Sequence, residues 1–323
     1  MAGKYSVADV ANSLWCGYVQ YVSIKPVTTV VRGIPLSGLA GIVAEPRGVL
    51  LAIHGGGTRA GYFHGDTHPD QSLLTLACAL GYSVLAIDRP GYGSSYGHVG
   101  DMSVDQRVDL VADAVDNIVG DAAHRVGMFV VAHSLGCQLA CHLAASGRVG
   151  VVGLELSGSG LHYRPDALDD SPAGNQVAPD PERVRRVMDR IWGSATRYPP
   201  DTRAAARALA PRWDSAAPPP DLTDALQWMS GYAEIAARIT VPVSITMGEL
   251  EGLWSSTEED LAELAGLFSA SPRVLHNRQY AGPHNLSLSW AARAYHLNVL
   301  AFAEECLLDR QRLTTTVQVP GAS

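Results

Sequence analysis

The sequence predicts a mostly parallel α/β sheet that is covered by helices on both faces. Short apolar runs of strand length alternate with segments of helical periodicity, and Gly or Pro residues separate them. The clearest strands are Val49 to Ile53, Ser83 to Ile87 and Arg125 to Ala132. Continuous apolar runs of this length are typical of strands buried on both sides, as they are in parallel sheets.

Each remaining element follows from a local pattern. Segments broken by Pro and Gly predict antiparallel strands near the start of the chain, at Tyr18 to Ile24, Thr28 to Arg32 and Leu39 to Ala44. Further strands are predicted at Val149 to Leu156, Val243 to Met247 and Arg273 to Tyr280. The predicted helices span Gln71 to Leu80, Val104 to Val119, Leu135 to Ser146, Thr257 to Phe268 and Leu286 to about Leu308.

The alternation of strands and helices breaks between residues 161 and 239. This stretch is rich in proline and has no clear strand pattern, but three segments are helical in character, Glu182 to Trp192, Asp201 to Leu209 and Leu222 to Ile239. We expect a helical cap that is inserted over the carboxyl edge of the sheet. The predicted core then comprises residues 1–160 and 240–311, and residues 312–323 form a flexible tail.

Composition and charge exclude several classes of protein. The chain has 323 residues, of which 47% are hydrophobic and 17% charged, as in ordinary globular proteins. The net charge of −8, with no basic stripe, argues against nucleic acid or a membrane as partner. Five scattered cysteines favour reduced thiols over a disulfide framework. Because neither a signal peptide nor an apolar run of about 20 residues is visible, we expect a cytoplasmic protein.

A candidate nucleophile lies at the end of the third buried strand. Ser134 stands between the small residues Ala132 and Gly136, and a helix begins at once. A Gly-x-Ser-x-Gly turn of this kind holds a serine hydroxyl out at the edge of a sheet, beside a base. Ala132 takes the place of the first glycine, which is a mild steric change. The five-residue pattern is weak alone, and the flanking strand and helix strengthen it.

A glycine run after an earlier strand offers hydrogen-bond donors for a negatively charged intermediate. Glycines let backbone N–H groups face a cavity without a side chain in the way. We assign one donor of an oxyanion hole to Gly56, with Gly57 as its neighbour, and the other to Leu135. Without Ser134 downstream, the same glycines would indicate only a turn. The preceding His54 is expected to stabilise this loop.

Two later loops supply a candidate acid and a candidate base. The strand from Val243 runs into a loop that contains Glu249 and Glu251, and a carboxylate is needed to hold an imidazole in one tautomer. His284 follows the last predicted strand on a loop rich in Gly and Pro, where it is free to reach across the sheet edge. Asp88 also follows a strand but precedes Ser134, and we expect it to tie its own turn together.

These motifs together resemble those of the α/β-hydrolase superfamily, and in particular its serine esterases and thioesterases. The chain order of serine, acid and histidine is that of the superfamily. The loop Asp88–Ser95 is similar to its Asp-x-Pro-Gly-x-Gly-x-Ser turn, and the resemblance covers residues from about Val49 to Leu308. It implies an α/β-hydrolase fold with catalytic Ser134, His284 and Glu251. The acid is placed at Glu251 because the family's strand often ends Gly-x-x-Asp, but Glu249 stays open.

The resemblance also implies a reaction class. It predicts cleavage of a carboxylic ester, thioester or lactone through an acyl-enzyme, without a cofactor and on a small-molecule acyl substrate of small to medium size and apolar character. Bacterial secondary metabolism is one setting in which such enzymes act. Two alternatives stay open, which are an acyltransferase or cyclase that uses the same acyl-enzyme, and a non-catalytic ligand-binding protein of the same fold.

Aromatic residues are the candidates for the substrate pocket. The predicted pocket residues are Tyr62, His64, His133, Trp192, Trp228 and Trp254, and Trp213 of the insertion also belongs to this group. Each tryptophan taken singly is more typical of a core. The segment His64–Asp70 contains two histidines and two aspartates, but their spacing matches no metal motif. Helix capping explains part of that segment, and no metal site is expected.

Overall fold

The structure is a computed structural model that describes residues 22–170, 181–209 and 230–317. Its strands are β1 (Lys25–Val31), β2 (Ile34–Gly41), β3 (Gly48–Ile53), β4 (Tyr82–Ile87), β5 (Met128–His133), β6 (Val151–Ser157), β7 (Val243–Leu250) and β8 (Val274–Pro283). They form one sheet with the order β1-β2-β4-β3-β5-β6-β7-β8. The pairs β1–β2 and β2–β4 are antiparallel and all other pairs are parallel. The predicted fold class is confirmed.

Helices cover both faces of this sheet. They are α1 (Leu73–Ala79), α2 (Val104–Val119), α3 (Ala122–Val126), α4 (Gly136–Ser146), α5 (Pro181–Trp192), α6 (Thr202–Leu209), α7 (Glu258–Gly266) and α8 (Ala292–Val317), and residues 230–236 are also helical. Helices α2, α4 and α7 contribute to the hydrophobic core on one face. Helices α1 and α8 contribute to the core on the other face.

The central strands lie between these two helical layers. Every residue of β3, β4 and β5 is buried, which is why each strand appears in the sequence as a continuous apolar run. The helices between them begin where the sequence supplies caps. The hydroxyl of Ser103 accepts from the amide of Gln106, whose side chain in turn accepts from the amide of Ser103, and this capping box starts α2.

Some predicted boundaries are wrong, and the reasons are local. The strand predicted from Arg125 begins at Met128, because the short helix α3 and Gly127, at a φ of +94°, come first. The final helix begins at Ala292 and not at Leu286, since residues 286–288 form a 3-10 turn, and it continues to Val317. Residues 22–24 of the predicted first strand are not in a strand, and the rest of that segment lies outside the described residues.

The parallel strands end side by side at one edge of the sheet. Ile53 of β3 is in register with Ala132 of β5, and His133 of β5 is in register with Ser157 of β6. The loops that follow these strands therefore meet at this edge. Within the described ranges, no helix combines the length and apolar character needed to cross a membrane.

Candidate active site

Ser134 lies in a strained turn between β5 and α4. Its φ is +51°, in the left-handed region that residues other than glycine rarely adopt. Its amide donates to the carbonyl of Ser157 at 2.7 Å, which fixes the turn to the neighbouring strand. A Cβ at Gly136 would lie 2.5 Å from the carbonyl oxygens of Ile53 and His54. The close approach of α4 to β3 therefore requires a glycine two residues after the serine.

His284 and Glu251 form a buried hydrogen-bonded pair. Nδ1 of His284 lies 2.9 Å from one carboxylate oxygen of Glu251 and 3.0 Å from the other, and both side chains are almost fully buried. Burial acts to raise the pKa of Glu251, but His284 and the amides of Leu253 and Gly252 outweigh it, so this pKa lies below its usual 4.5. Because a carboxylate only accepts, Nδ1 carries the proton and Nε2 is left as a base.

The His284 ring lies beside the turn that carries Ser134. Its centroid is 4.8 Å from that of His133, the residue before the serine. A Cβ at Gly158 would lie 3.3 Å from Cε1 of His284 and 3.1 Å from Nδ1 of His133. Among the described residues, the hydrogen bonds of the His284 ring go to Glu251 and none comes from the Ser134 hydroxyl. Such contacts are often long before a substrate binds. The fold thus brings all three predicted residues to one edge.

The glycine loop after β3 packs against the serine turn. A Cβ at Gly55 would lie 3.0 Å from Cβ of Ser134, so the two backbones are in close contact. The amide of Gly57 donates to the hydroxyl of Tyr92 at 3.1 Å. Gly57 is therefore not a free donor for an oxyanion, and the predicted contact is left to Gly56.

Leu135 and His54 flank this loop. Leu135 is the N-cap residue of α4, at the end of the helix where backbone amides point outwards without partners in the helix. Nδ1 of His54 lies 2.7 Å from the carbonyl oxygen of Gly55, and its Nε2 accepts from the amide of Arg89 at 3.0 Å. Burial, with the charge of Arg89, lowers the pKa of His54 well below its usual value. A neutral His54 thus joins the glycine loop to the loop after β4, as expected.

Two other carboxylates near the sheet edge have different partners. Asp88 accepts hydrogen bonds from the hydroxyl of a serine on β2 at 2.6 Å and from the amide of Ala60 at 2.8 Å, so it ties its turn to the neighbouring segments. Glu249 is exposed and accepts from a backbone amide of β8 at 2.8 Å. Glu251 is the carboxylate that the geometry pairs with His284.

The predicted pocket residues lie at different distances from this pair. Tyr62 and His133 are buried next to His284, with their rings stacked at 4.5 Å and an interplanar angle of 10°. His64 is half-buried, and its Nδ1 lies 2.7 Å from the hydroxyl of Ser72 at the start of α1. Tyr62 and His133 thus border the His284 site directly, and His64 is anchored to the next helix.

The predicted pocket residues Trp192 and Trp254 contact aromatic residues of the segment between β6 and β7. Trp192 is half-buried and packs against Tyr198 with ring centroids 5.1 Å apart. Trp254 is buried and stacks on Tyr163 at 4.2 Å, where a single β-bridge joins the segment after β6 to the loop after β7. Trp213 and Trp228 lie outside the described residues.

Four buried polar residues near the site were not identified from the sequence. They are Ser157, Tyr198, Asn285 and Ser287. Ser157 ends β6 and Tyr198 lies between β6 and β7, and nothing in their local sequence sets them apart. Asn285 and Ser287 directly follow the candidate base, and that position was the one available signal.

The segment of histidines and aspartates after the glycine loop does not form a metal centre. In the part of the chain that the structure describes, no group of three or more His, Cys, Asp or Glu side chains could hold a metal ion. The carboxylate of Asp70 accepts from Arg293 at 3.0 Å, and the hydroxyl of Thr67 donates to Gln71 at 2.6 Å. These contacts join the segment to its neighbours.

A comparison with protein families identifies the family of this chain. The Alpha/beta hydrolase family matches residues 49–305. The chain belongs to this family, and the matched range contains Ser134, Glu251 and His284. The curated proteins contain no significant match to the sequence.

Solved structures with the same fold include a thioesterase domain and an esterase. The thioesterase domain from the curacin biosynthetic pathway is 22% identical with a TM-score of 0.55, and the match covers 86% of this chain and 99% of that one. A thermostable carboxyl esterase from Bacillus coagulans is 17% identical with a TM-score of 0.65, over 88% and 99% of the two chains. MenH from S. aureus is 18% identical with a TM-score of 0.57, over 87% and 98%. At these identities the similarity establishes the fold.

Proposed function

We propose that the chain is a serine hydrolase that cleaves a carboxylic ester, thioester or lactone through an acyl-enzyme. The observation that carries this proposal is the buried His284–Glu251 pair beside the strained turn of Ser134. A serine is a weak nucleophile unless a neighbouring base removes its proton. The pair supplies that base in a fixed tautomer, and the turn presents the hydroxyl.

In the first half of the proposed reaction, the Ser134 hydroxyl attacks the acyl carbonyl carbon as its proton passes to Nε2 of His284. The carbonyl oxygen becomes an oxyanion, which accepts hydrogen bonds from the amides of Gly56 and Leu135. The Glu251 carboxylate stabilises the imidazolium that forms. When the tetrahedral intermediate collapses, the leaving group departs with the proton from His284, and the acyl group remains on Ser134.

In the second half, water attacks the acyl carbon and gives its proton to Nε2 of His284. The ester bond to Ser134 breaks, the hydroxyl regains a proton from the imidazolium, and a free carboxylic acid leaves. Aromatic side chains of Tyr62, Trp192 and Trp254 supply apolar surface for a small to medium acyl substrate. Without an alcohol or amine acceptor, the acid is the expected product. Product analysis in the presence of an acceptor distinguishes hydrolysis from acyl transfer.

Replacing the nucleophile tests the proposal. Ser134→Ala is expected to lower kcat for a short-chain aryl ester at least about 10³-fold, because no other group supplies the attacking oxygen. The wild-type chain should be labelled by a fluorophosphonate at Ser134, as seen by mass spectrometry of its peptides. Ser269→Ala, at an exposed turn after α7, is the matched control and should behave as wild type. Unaltered ester turnover by Ser134→Ala would rule the proposal out.

A further inference from the structure

Three buried side chains beside the His284–Glu251 pair present polar groups that lack a hydrogen bond of normal geometry. The hydroxyls of Tyr62 and Tyr198 and Nδ2 of Asn285 form no hydrogen bond of normal geometry in the described part of the chain. Ser287 lies near the Tyr62 hydroxyl, and Asn285 lies near the Tyr198 hydroxyl. These three residues are only 1%, 3% and 7% exposed. A buried polar group without a partner is destabilising, and native proteins seldom retain one unless water or a ligand satisfies it.

These three side chains lie close together and form one cluster. Tyr62 stacks on His133, which in turn meets the His284 ring edge to face. Burial raises the pKa of Tyr62, the contacts with Ser287 oppose this effect, and the neighbouring Tyr198 and Glu251 add to it. Burial also raises the pKa of Tyr198, where Asn285 opposes the effect and Glu251 adds to it. Each member therefore lies within reach of the catalytic pair and of another member.

A cleft formed by residues between β6 and β7 borders one member of this cluster, Tyr198. Described residues between Ala195 and Arg207 line a cleft of about 590 Å³, and Tyr198 is one of them. Trp192 packs against Tyr198 and gives that side an aromatic wall. A molecule that occupies this cleft therefore contacts Tyr198.

The hydrogen-bond donors and the nearby negative charge restrict which ligand atom the cluster can bind. Nδ2 of Asn285 can only donate, and both phenol hydroxyls can donate, so an acceptor atom such as oxygen satisfies all three. Glu251 is a negative charge close to both tyrosines, which disfavours an anionic group. A neutral carbonyl or hydroxyl oxygen fits these conditions best. The cluster lies beside His284 at the serine turn, so an oxygen bound there lies near the scissile bond, and we assign it to the acyl side.

We propose that Tyr62, Tyr198 and Asn285 form a subsite for a neutral oxygen carried on the acyl chain near its carbonyl, so that the preferred substrates are hydroxyacyl or oxoacyl esters or thioesters. This inference rests on the proposed function and narrows its substrate class. An ordered water in place of the substrate oxygen is the competing occupant.

The test compares aryl esters of 3-hydroxybutyrate and 3-oxobutyrate with the pentanoate ester, which has a methylene chain of similar length. The wild-type kcat/KM should be at least about tenfold higher for the oxygenated esters. Tyr198→Phe and Tyr62→Phe should each lower the ratio of kcat/KM for the oxygenated esters to kcat/KM for pentanoate about three- to tenfold, which corresponds to the loss of one neutral hydrogen bond. Tyr232→Phe, a buried tyrosine on the opposite face of the sheet that packs on Phe268, is the control and should keep the wild-type ratio.

Binding measured without turnover separates this inference from the proposed function. Calorimetry on Ser134→Ala should show tighter binding of the oxygenated esters than of pentanoate, and Ser134→Ala/Tyr198→Phe should lose that difference. If the tyrosine substitutions change turnover and binding of all three esters equally, the cluster holds a water molecule and the proposed subsite is wrong. An unchanged ratio in both phenylalanine variants would overturn it as well, even with hydrolysis intact. Failure of Ser134 labelling with the binding preference retained would instead overturn the hydrolase and leave the subsite standing.

Discussion

At the scale of single residues, the contact between Glu251 and His284 depends on how β7 and β8 end. The pairing of these strands is irregular between Gly248 and Leu250. A Cβ at Gly248 would meet the carbonyl of Gly282 and lie 2.7 Å from that of Pro283. The two backbones thus converge directly before the acid and the base. This convergence allows a buried glutamate to reach Nδ1 of the imidazole.

Removing the charge of Glu251 should impair catalysis more than folding. Glu251→Gln keeps the size of the side chain but no longer stabilises the imidazolium, and it allows the wrong tautomer of His284. We expect kcat to fall about 10³- to 10⁴-fold, measured with a short-chain aryl ester, and KM to change little. Glu249→Gln is the matched control and should retain activity within about twofold, since its carboxylate is exposed and accepts only from the backbone of β8. A larger loss of kcat in Glu249→Gln than in Glu251→Gln would instead assign the role of catalytic acid to Glu249.

At this scale, the order of serine, acid and histidine along the chain allowed candidate residues to be identified from the sequence. The contact between Glu251 and His284 could be anticipated because each residue follows a strand in the order that the superfamily uses. The catalytic roles of Ser134, Glu251 and His284 stay predictions. The amide of Gly57 could not be distinguished from that of Gly56, because its partner, the hydroxyl of Tyr92, lies on another loop. Contacts between loops depend on the assembled sheet, which local sequence does not report.

At the scale of secondary structure, the packing of α4 against β3 sets the geometry of the serine turn. Gly136→Ala would place a methyl group 2.5 Å from two backbone carbonyl oxygens, and backbone atoms cannot move aside cheaply. We expect a loss of about 1–3 kcal/mol in the free energy of unfolding, measured with urea, together with a loss of activity. The control is Gly266→Ala in α7, where a Cβ would meet no atom within 4 Å. It should be neutral or stabilise by up to about 1 kcal/mol. Equal stability of both variants would show that α4 can shift without cost.

Element boundaries were less predictable than element types. The buried strands could be found because burial on both sides leaves a run of apolar residues without alternation. The start of β5 was missed since Arg125 and Val126 have the composition of either a strand or a short helix, and Gly127 decides between them through its positive φ. The predicted cap at residues 161–239 stays a prediction.

At the scale of the whole molecule, the sheet buries one acidic side chain among its apolar layers. Glu155 of β6 is 1% exposed, and its Oε1 has no hydrogen-bond partner among the described residues. Burial raises the pKa of Glu155 from its usual 4.5 to about 7, although the hydroxyls of Ser244, Thr246 and Tyr295 act in the opposite direction. Local sequence does not predict the burial of Glu155, because a glutamate in a strand is usually on an exposed face.

This raised pKa makes the stability of the fold depend on pH in a defined direction. Below about pH 4.5 the carboxyl of Glu155 is protonated in both the folded and the unfolded chain. Its contribution to the free energy of unfolding is then fully present. Between pH 4.5 and 7 the unfolded chain releases the proton and the folded chain keeps it, which weakens folding by about 1.4 kcal/mol per pH unit. Above pH 7 both states are ionised and the loss, about 3 kcal/mol, is complete.

Glu155→Gln should therefore remove this pH dependence, because the amide has a similar shape and no charge at any pH. Urea unfolding of both proteins at pH 5 and pH 8 gives their free energies of unfolding. The free energy of the variant minus that of the wild type should increase by about 3 kcal/mol between these two pH values. Other titrating groups, such as the buried His296, act equally in both proteins and cancel in the difference. Glu234→Gln, at an exposed position in the helical residues 230–236, should show no such gain. If the difference in unfolding free energy between Glu155→Gln and the wild type is the same at pH 5 and pH 8, Glu155 ionises in the folded sheet as readily as in water.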